Sequence, residues 1–318
     1  MNTESPIDIV TGGSGFVGRH LISSLLADGA RVVSIDLRAA PAAISSHPLF
    51  VSVVGDIRSA DLATRLARFG PIRSFYHLAA RTGVRAAQGS AADYTLNNVV
   101  GTDRICATAE RLSAERFIYA SSSSLYGDAG EFPTPESAIL APRSHYGTTK
   151  MLAEQIVRDR GATGRLDVRI ARLFTVYGPD GRASMAIPRF LTASRRGRPI
   201  LATAPMDSFR DYTWIGDVVT GLRLLASLSN NPGPINLAAG APTRLADLIT
   251  MMQRISGIIV PVQQGERDER DVFGTHGSNE KARALGWESP KRLADVLPIM
   301  INPPAAIAEG DAGALKNG

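Results

Sequence analysis

The chain has 318 residues, 44% of them hydrophobic and 20% charged, with a formal charge of +5. That balance suits one large α/β domain or two lobes sharing a cleft and excludes wholesale disorder, and no apolar run approaches the ~18 residues of a membrane span. A single cysteine, Cys106, excludes internal disulfides and thiolate metal clusters, and the arginine-dominated basic residues are scattered rather than gathered on the stripe a nucleic-acid binder uses.

The first nine residues carry Glu4 and Asp8 and lack the basic start and apolar stretch of a signal peptide, so a cytoplasmic location is expected, with no membrane or nucleic-acid partner. Short β-branched runs then alternate with helical patterns. Strands are predicted at Ile7–Val10, Arg31–Ile35, Phe50–Val54, Ser74–Leu78, Arg116–Ala120 and Asp167–Leu173. Helices are predicted at Phe16–Ala27, Ala60–Phe69, Ala92–Leu112 and Tyr146–Arg160. This rhythm predicts an α/β fold, a doubly wound parallel sheet of the Rossmann kind, over residues 1–177. Beyond Tyr177, Gly178, Pro179, Gly181, Pro188, Pro199 and Pro205 break the rhythm. Residues 178–301 are expected to form mainly a smaller substrate-binding lobe, with some strands and helices returning to the first domain. Helices are expected at Asp217–Ser227 and Arg244–Ile255, and 302–318, poor in large apolar side chains, reads as a disordered tail.

The first strand runs into Gly12, Gly15 and Gly18, a GxxGxxG turn opening a helix. Glycines at this spacing allow a tight turn, close approach of a pyrophosphate to the backbone, and tight helix–strand packing. Asp36 ends the next strand 18 residues after Gly18, placed to accept hydrogen bonds from ribose hydroxyls and to repel a 2′-phosphate. Together these predict NAD, although Arg38 lies close. Asp56 and Ile57 follow the third strand and suit an adenine edge and face, while a simple turn would also use an aspartate there.

Tyr146 and Lys150 stand four apart, on one face if Tyr146 opens a helix. A nearby ammonium favours phenolate and brings the phenol toward the pKa of a general base. Ser121, Ser122, Ser123 and Ser124 end the fifth strand, where they could cap a helix or bind a sugar hydroxyl.

These segments resemble the extended short-chain dehydrogenase/reductases of the NAD-dependent epimerase/dehydratase family, and most closely its UDP-glucuronate 4-epimerases. The resemblance spans Ile7 to Pro298. It is carried by TGGSGFVG at 11–18, HLAA at 77–80, Asn97 in NNVVGT, SSSSLYG at 121–127, YGTTK at 146–150, RLFTVYGP at 172–179 and RDYTWIGD at 210–217. It implies NAD as cofactor, a UDP-sugar as substrate, no metal, and a homodimer through the helices 92–112 and 146–160. Ser122, Tyr146 and Lys150 would be the catalytic group. Gly12, Gly15, Phe16, Val17, Asp36, Arg38, Asp56, Ile57, Leu78, Ala79, Ala80 and Asn97, with Tyr146 and Lys150, would hold the cofactor, and Asn97 would also help hold the active-site helix. Arg85, Ser123, Ser124, Thr175, Arg182, Ala186 and Arg210 would face the substrate, with Arg210 on its diphosphate.

Local details then separate the chemistries. Ser123 and Ser124 stand where the dehydratases of the family carry Asp-Glu, so dehydration is disfavoured. Thr175 stands where galactose-type epimerases tend to carry Asn, and the run from Thr175 to Ala186 resembles the uronate enzymes. The expected reaction is an isomerisation, UDP-glucuronate to UDP-galacturonate, through a transient 4-keto sugar. The alternatives are decarboxylation of the same uronate, another 4-epimerase or dehydratase of this fold, and a noncatalytic NAD-binding regulator. Ser278 departs from the family's aspartate, and the arginine for the nucleotide end is either Arg267 or Arg270.

Overall fold

The computed structural model describes residues 5–83, 91–266, 268–288 and 291–301. The expectations for Arg85, Arg267 and the 302–318 tail lie outside them. The strands are β1 Ile7–Thr11, β2 Arg31–Asp36, β3 Phe50–Val54, β4 Ile72–His77, β5 Arg116–Ser122, β6 Val168–Leu173, β7 Thr175–Tyr177, β8 Ile200–Ala202, β9 Phe209–Trp214, β10 Pro234–Leu237, β11 Pro242–Arg244 and β12 Val262–Gln264. The helices are α1 Phe16–Ala27, α2 Ala42–Ser45, α3 Leu62–Ala67, α4 Ala91–Thr95, α5 Gly101–Arg111, α6 His145–Ala162, α7 Ala186–Arg195, α8 Ile215–Ser227, α9 Leu245–Ser256, α10 Glu280–Ala284 and α11 Leu293–Ile301.

Seven parallel strands form the main sheet in the order β10-β6-β5-β4-β1-β2-β3. Both faces are covered, which is why these strands read as nearly continuous apolar runs. Side chains alternate between two cores: Val10, Val32 and Ile118 meet α1 and α8 on one face, while Ile9, Val33 and Phe117 meet α5 and α6 on the other. Strand order reverses between β1 and β4, and ligands of open α/β sheets bind beyond the strand ends at such a point.

After β6 the chain builds a second sheet, β11-β9-β7, over a third core containing Phe190, Tyr212, Leu248 and Leu297. It returns to the main sheet through α8 and β10, which pairs with β6 from Pro234↔Ile170 to Leu237↔Leu173. Helix α7 lies in the stretch that sequence marks only as Gly- and Pro-rich. Pro188 falls in its first turn, where a missing N–H costs no hydrogen bond.

The helix expected over 92–112 is interrupted. Between α4 and α5, Leu96–Val100 forms a π-turn. Such a turn widens the helix by one residue and re-aims the side chains it carries, here Asn97 and Asn98.

Candidate active site

A cavity of about 970 Å³ lies at the strand ends, reaching from the Gly12 turn to Arg210. Apart from Arg270, every described residue expected at the site lines it: Gly12, Gly15, Phe16, Val17, Asp36, Arg38, Asp56, Ile57, Leu78, Ala79, Ala80 and Asn97 at one end, then Ser122, Ser123, Ser124, Tyr146, Lys150, Thr175, Arg182, Ala186 and Arg210.

The glycine turn fits a dinucleotide. Gly12 has φ +73°, and a Cβ there would come within 2.8 Å of the Ala79 backbone; one on Gly18 would meet the Gly12 carbonyl oxygen at 2.2 Å. The turn therefore closes only with glycine. Helix α1 starts from Gly15 with no side-chain cap and no acidic residue in its first turn, so its leading N–H groups and positive end are left for an anion. Asp36 is fixed by the N–H groups of Ser14 and Arg38, each at 3.1 Å. Asp56 is gripped by Arg58 at 2.5 Å, whose hydrogen bonds lower its carboxyl pKa.

Beneath this end lies a polar chain buried in the sheet. Thr102 donates to the Asn98 carbonyl at 2.6 Å, so the His77 Nε2–H donates to Thr102 Oγ1 at 3.0 Å and His77 Nδ1 accepts from Thr11 Oγ1 at 2.7 Å. Burial, and secondarily the charge of Lys150, push the His77 imidazole down to about 3. It is neutral, and the network assigns its tautomer.

At the other end, β5 and α6 converge. Ser144 caps α6 by accepting from the Gly147 N–H at 3.0 Å, which starts the helix just ahead of Tyr146. Tyr146 stands edge-on to Tyr94, with ring centroids 6.4 Å apart. Burial raises its phenol pKa, while a hydrogen bond with Ser122 and the charge of Arg182 work against that rise. Ser122 ends β5, and its Oγ lies 3.1 Å from both Ser124 Oγ and the Ser124 N–H. Lys150 is buried; its Nζ donates to the Ala120 carbonyl at 2.5 Å and sits 4.2 Å from the centre of the Tyr119 ring. Burial pushes this ammonium down to about 7, with Glu154 acting in the opposite sense.

The role expected of Asn97 in holding the active-site helix belongs to its neighbour. The π-turn buries Asn98, which accepts from the Arg81 N–H at 2.8 Å and donates to the Arg81 carbonyl at 2.9 Å and to Thr149 Oγ1, inside α6, at 3.1 Å. Asn97 lines the cavity and donates to Asn98 Oδ1 at 3.0 Å.

Sequence reasoning also missed a buried ion pair behind the site. Glu154 meets Arg172 at 2.6 and 3.1 Å and accepts from Ser121 at 2.6 Å; Arg172 continues to Tyr126 and the Glu136 carbonyl. Burial would raise the Glu154 carboxyl, but Arg172 and Ser121 outweigh it and hold it below the usual range. Its spacing of four after Lys150 was visible, being the next turn of the same helical face. Arg189, Tyr212, Phe190 and Thr82 also line the cavity and carried no sequence motif of their own. Arg210 donates to the carbonyls of Phe209, Val272 and Phe273, tying β9 to the segment at 272–273. Arg270 pairs with Asp268 at 2.7 Å and is not among the cavity residues.

A family model described as the NAD dependent epimerase/dehydratase family matches residues 9–238. UDP-glucuronate 4-epimerase 3 of Arabidopsis thaliana is 31% identical, over 88% of this chain and 72% of its own length. UDP-glucuronic acid decarboxylase 4 of the same plant is 28% identical, over 92% of this chain and 67% of its own. Among solved structures, MoeE5 in complex with UDP-glucuronic acid and NAD superposes with a TM-score of 0.84 at 31% identity, covering 91% of this chain and 95% of that one.

Proposed function

The chain belongs to the NAD dependent epimerase/dehydratase family, and from that premise we propose that it is a 4-epimerase interconverting UDP-glucuronate and UDP-galacturonate. The enzyme is an NAD-dependent isomerase. The reading is carried by the cavity that joins the Gly12 turn to the Ser122–Tyr146–Lys150 group and continues, without a break, into a wall of hydroxyls and guanidinium groups.

The Gly12–Gly18 turn and the uncapped start of α1 would hold the cofactor's pyrophosphate, and Asp36 would accept from its ribose. NAD, when bound, supplies reversible hydride uptake at the sugar's C4. Tyr146, once it has released its own proton to solvent and stands as the phenolate, takes the proton of the 4-hydroxyl at Oη, with Ser122 Oγ bridging phenolate and sugar, and returns it after the 4-keto sugar has turned over. Lys150 provides positive charge beside this exchange and would donate to the cofactor ribose. Arg210 faces the diphosphate that anchors the sugar while it turns.

Ser123, Ser124, Thr175 and Arg182 face the uronate carboxylate. Their work is more than recognition. A 4-keto uronate is a β-keto acid, and it loses CO2 when the C5–C6 bond aligns with the carbonyl π system. Donors that fix the carboxylate keep that bond out of alignment, which separates epimerisation from decarboxylation.

The deciding experiment incubates purified protein with a panel of UDP-sugars and no added NAD. UDP-galacturonate from UDP-glucuronate is the expected product. A pentose with CO2 release would make the enzyme a decarboxylase, and turnover confined to neutral UDP-hexoses would remove the uronate.

The protein is further inferred to be a homodimer through the α4–α5 segment and α6. Leu96, Val100 and Leu152 on these helices are 45%, 39% and 45% exposed, and a second copy would cover them. Light scattering at the monomer mass would refute this.

A further inference from the structure

Lys150 is an unusual cation because its surroundings supply so few oxygens. An ammonium offers three donors. Among the described residues its one hydrogen-bond acceptor is the Ala120 carbonyl at 2.5 Å. Glu154, the next carboxylate along α6, is not its ion-pair partner: its oxygens are taken by Arg172, Ser121 and Arg158. His77, on β4, is neutral, and Tyr146, on α6, is a neutral phenol at rest. What faces the ammonium instead is an aromatic ring, with the centre of Tyr119 4.2 Å from Nζ. That ring is almost wholly buried and lies tilted by 30° against the His77 imidazole, with centroids 5.8 Å apart. The His77 hydrogen bonds to Thr11 and Thr102 keep the imidazole from turning, so the ring it packs against is held as well.

We propose that Tyr119 is a positioning residue whose ring face keeps the Lys150 ammonium charged and seated at the cavity wall through a cation–π contact. The negative quadrupole of an aromatic face attracts a cation more strongly where water is excluded. Burial alone drives a lysine toward its neutral form. The ring restores part of what hydration would have given, while leaving the remaining ammonium donors to the cavity, where a carboxylate partner would have claimed them. Glu154, paired with Arg172, acts on the ammonium only by its charge, in the same sense as the ring and against burial.

This rests on the roles proposed for Tyr146 and Lys150, so its test reads the lysine directly. The chain contains four lysines, at 150, 281, 291 and 316. Lysine isotope-labelled at Cε, with Lys150→Arg to identify its resonance, gives the Lys150 titration midpoint by NMR. Phenylalanine, difluorophenylalanine and trifluorophenylalanine at position 119 keep the ring's shape while draining its face of charge. The expected midpoint is unchanged in Tyr119→Phe and falls stepwise with fluorination, by about one pH unit at the end of the series. Tyr119→Leu, if it folds, falls at least as far. The alkaline limb of the pH–rate profile moves down with the midpoint. A midpoint indifferent to fluorination overturns the proposal, and so does a full drop already present in Tyr119→Phe, which would assign the effect to the hydroxyl. An undiminished turnover in Tyr146→Phe would overturn the proposed mechanism instead, leaving the Lys150 titration to be judged by itself.

Discussion

The Asn98 side-chain amide donates to Thr149 Oγ1 at 3.1 Å, and that hydroxyl donates in turn to the Tyr146 carbonyl at 2.8 Å. The π-turn is thereby tied to the first turn of the helix that presents the phenol. Asn98→Ala would strip a partner from the buried Thr149 hydroxyl and from both part-buried backbone groups of Arg81. It is expected to lower unfolding stability by about 2–3 kcal/mol, whereas Asn97→Ala stays within ~1 kcal/mol of the parent and loses cofactor retention. Urea denaturation of the two variants measures this, and equal losses would return the holding role to Asn97.

Tyr146→Phe keeps the ring against Tyr94 and removes the proton carrier. Turnover is expected to fall by about 10²–10⁴-fold, the usual worth of a positioned acid–base group. The melting temperature and binding of UDP-sugar should be nearly unchanged. Turnover close to that of the parent enzyme would transfer the proton to another group.

Two buried groups give stability opposite dependences on pH. His77 has a folded pKa of about 3, far below that of an unfolded imidazole. The unfolded chain therefore binds the extra proton first, and this contribution is lost on acidification from about 6.5, by about 1.4 kcal/mol per pH unit. Burial raises Asp211 to about 6 despite the N–H groups of Ala239, Gly240 and Gly277. The folded state takes up that proton first, so stability rises as pH falls from about 6 toward the unfolded value of about 3.9. Denaturation midpoints between pH 7 and 5 should show a steeper acid loss in Asp211→Asn and a shallower one in His77→Gln. The same slope in all three proteins would contradict both assignments.

Asp36→Ala removes the carboxylate that the Ser14 and Arg38 N–H groups aim. Loss of a charge-assisted hydrogen bond of about 1.5–3 kcal/mol should weaken NAD retention by about 10–100-fold. The amount of NAD carried through purification, with NADP as the competitor, measures it. Unchanged retention would place the ribose elsewhere.

Much of the site was legible before the structure. The glycine turn, Asp36 and the Tyr146–Lys150 spacing could be named because each depends on neighbours a few residues away, whereas Ser122 was singled out among four serines only by the family resemblance. The π-turn was not legible: a helix-period pattern from 92 to 112 reads the same with or without one extra residue, and that residue decides whether Asn97 or Asn98 is buried. Helix α7 was hidden by Pro188, which breaks a helical pattern in sequence but is harmless in a first turn. Arg172 opens the segment RLFTVYGP, and nothing in that segment indicates that it lies in the interior against a carboxylate from another element.

Sequence alone determined the alternating sheet and helices, the anion-ready turn and the phenol–ammonium spacing, because short-range sterics and local hydrogen bonding govern all three. Tertiary structure alone decided which charges would lose their water and what would replace it. Glu154 took Arg172, and Lys150 was left with a carbonyl and the face of Tyr119. Those partnerships join strands and helices through the parallel register of β4, β5 and β6, and desolvation makes them worth far more inside the fold than any local preference could disclose.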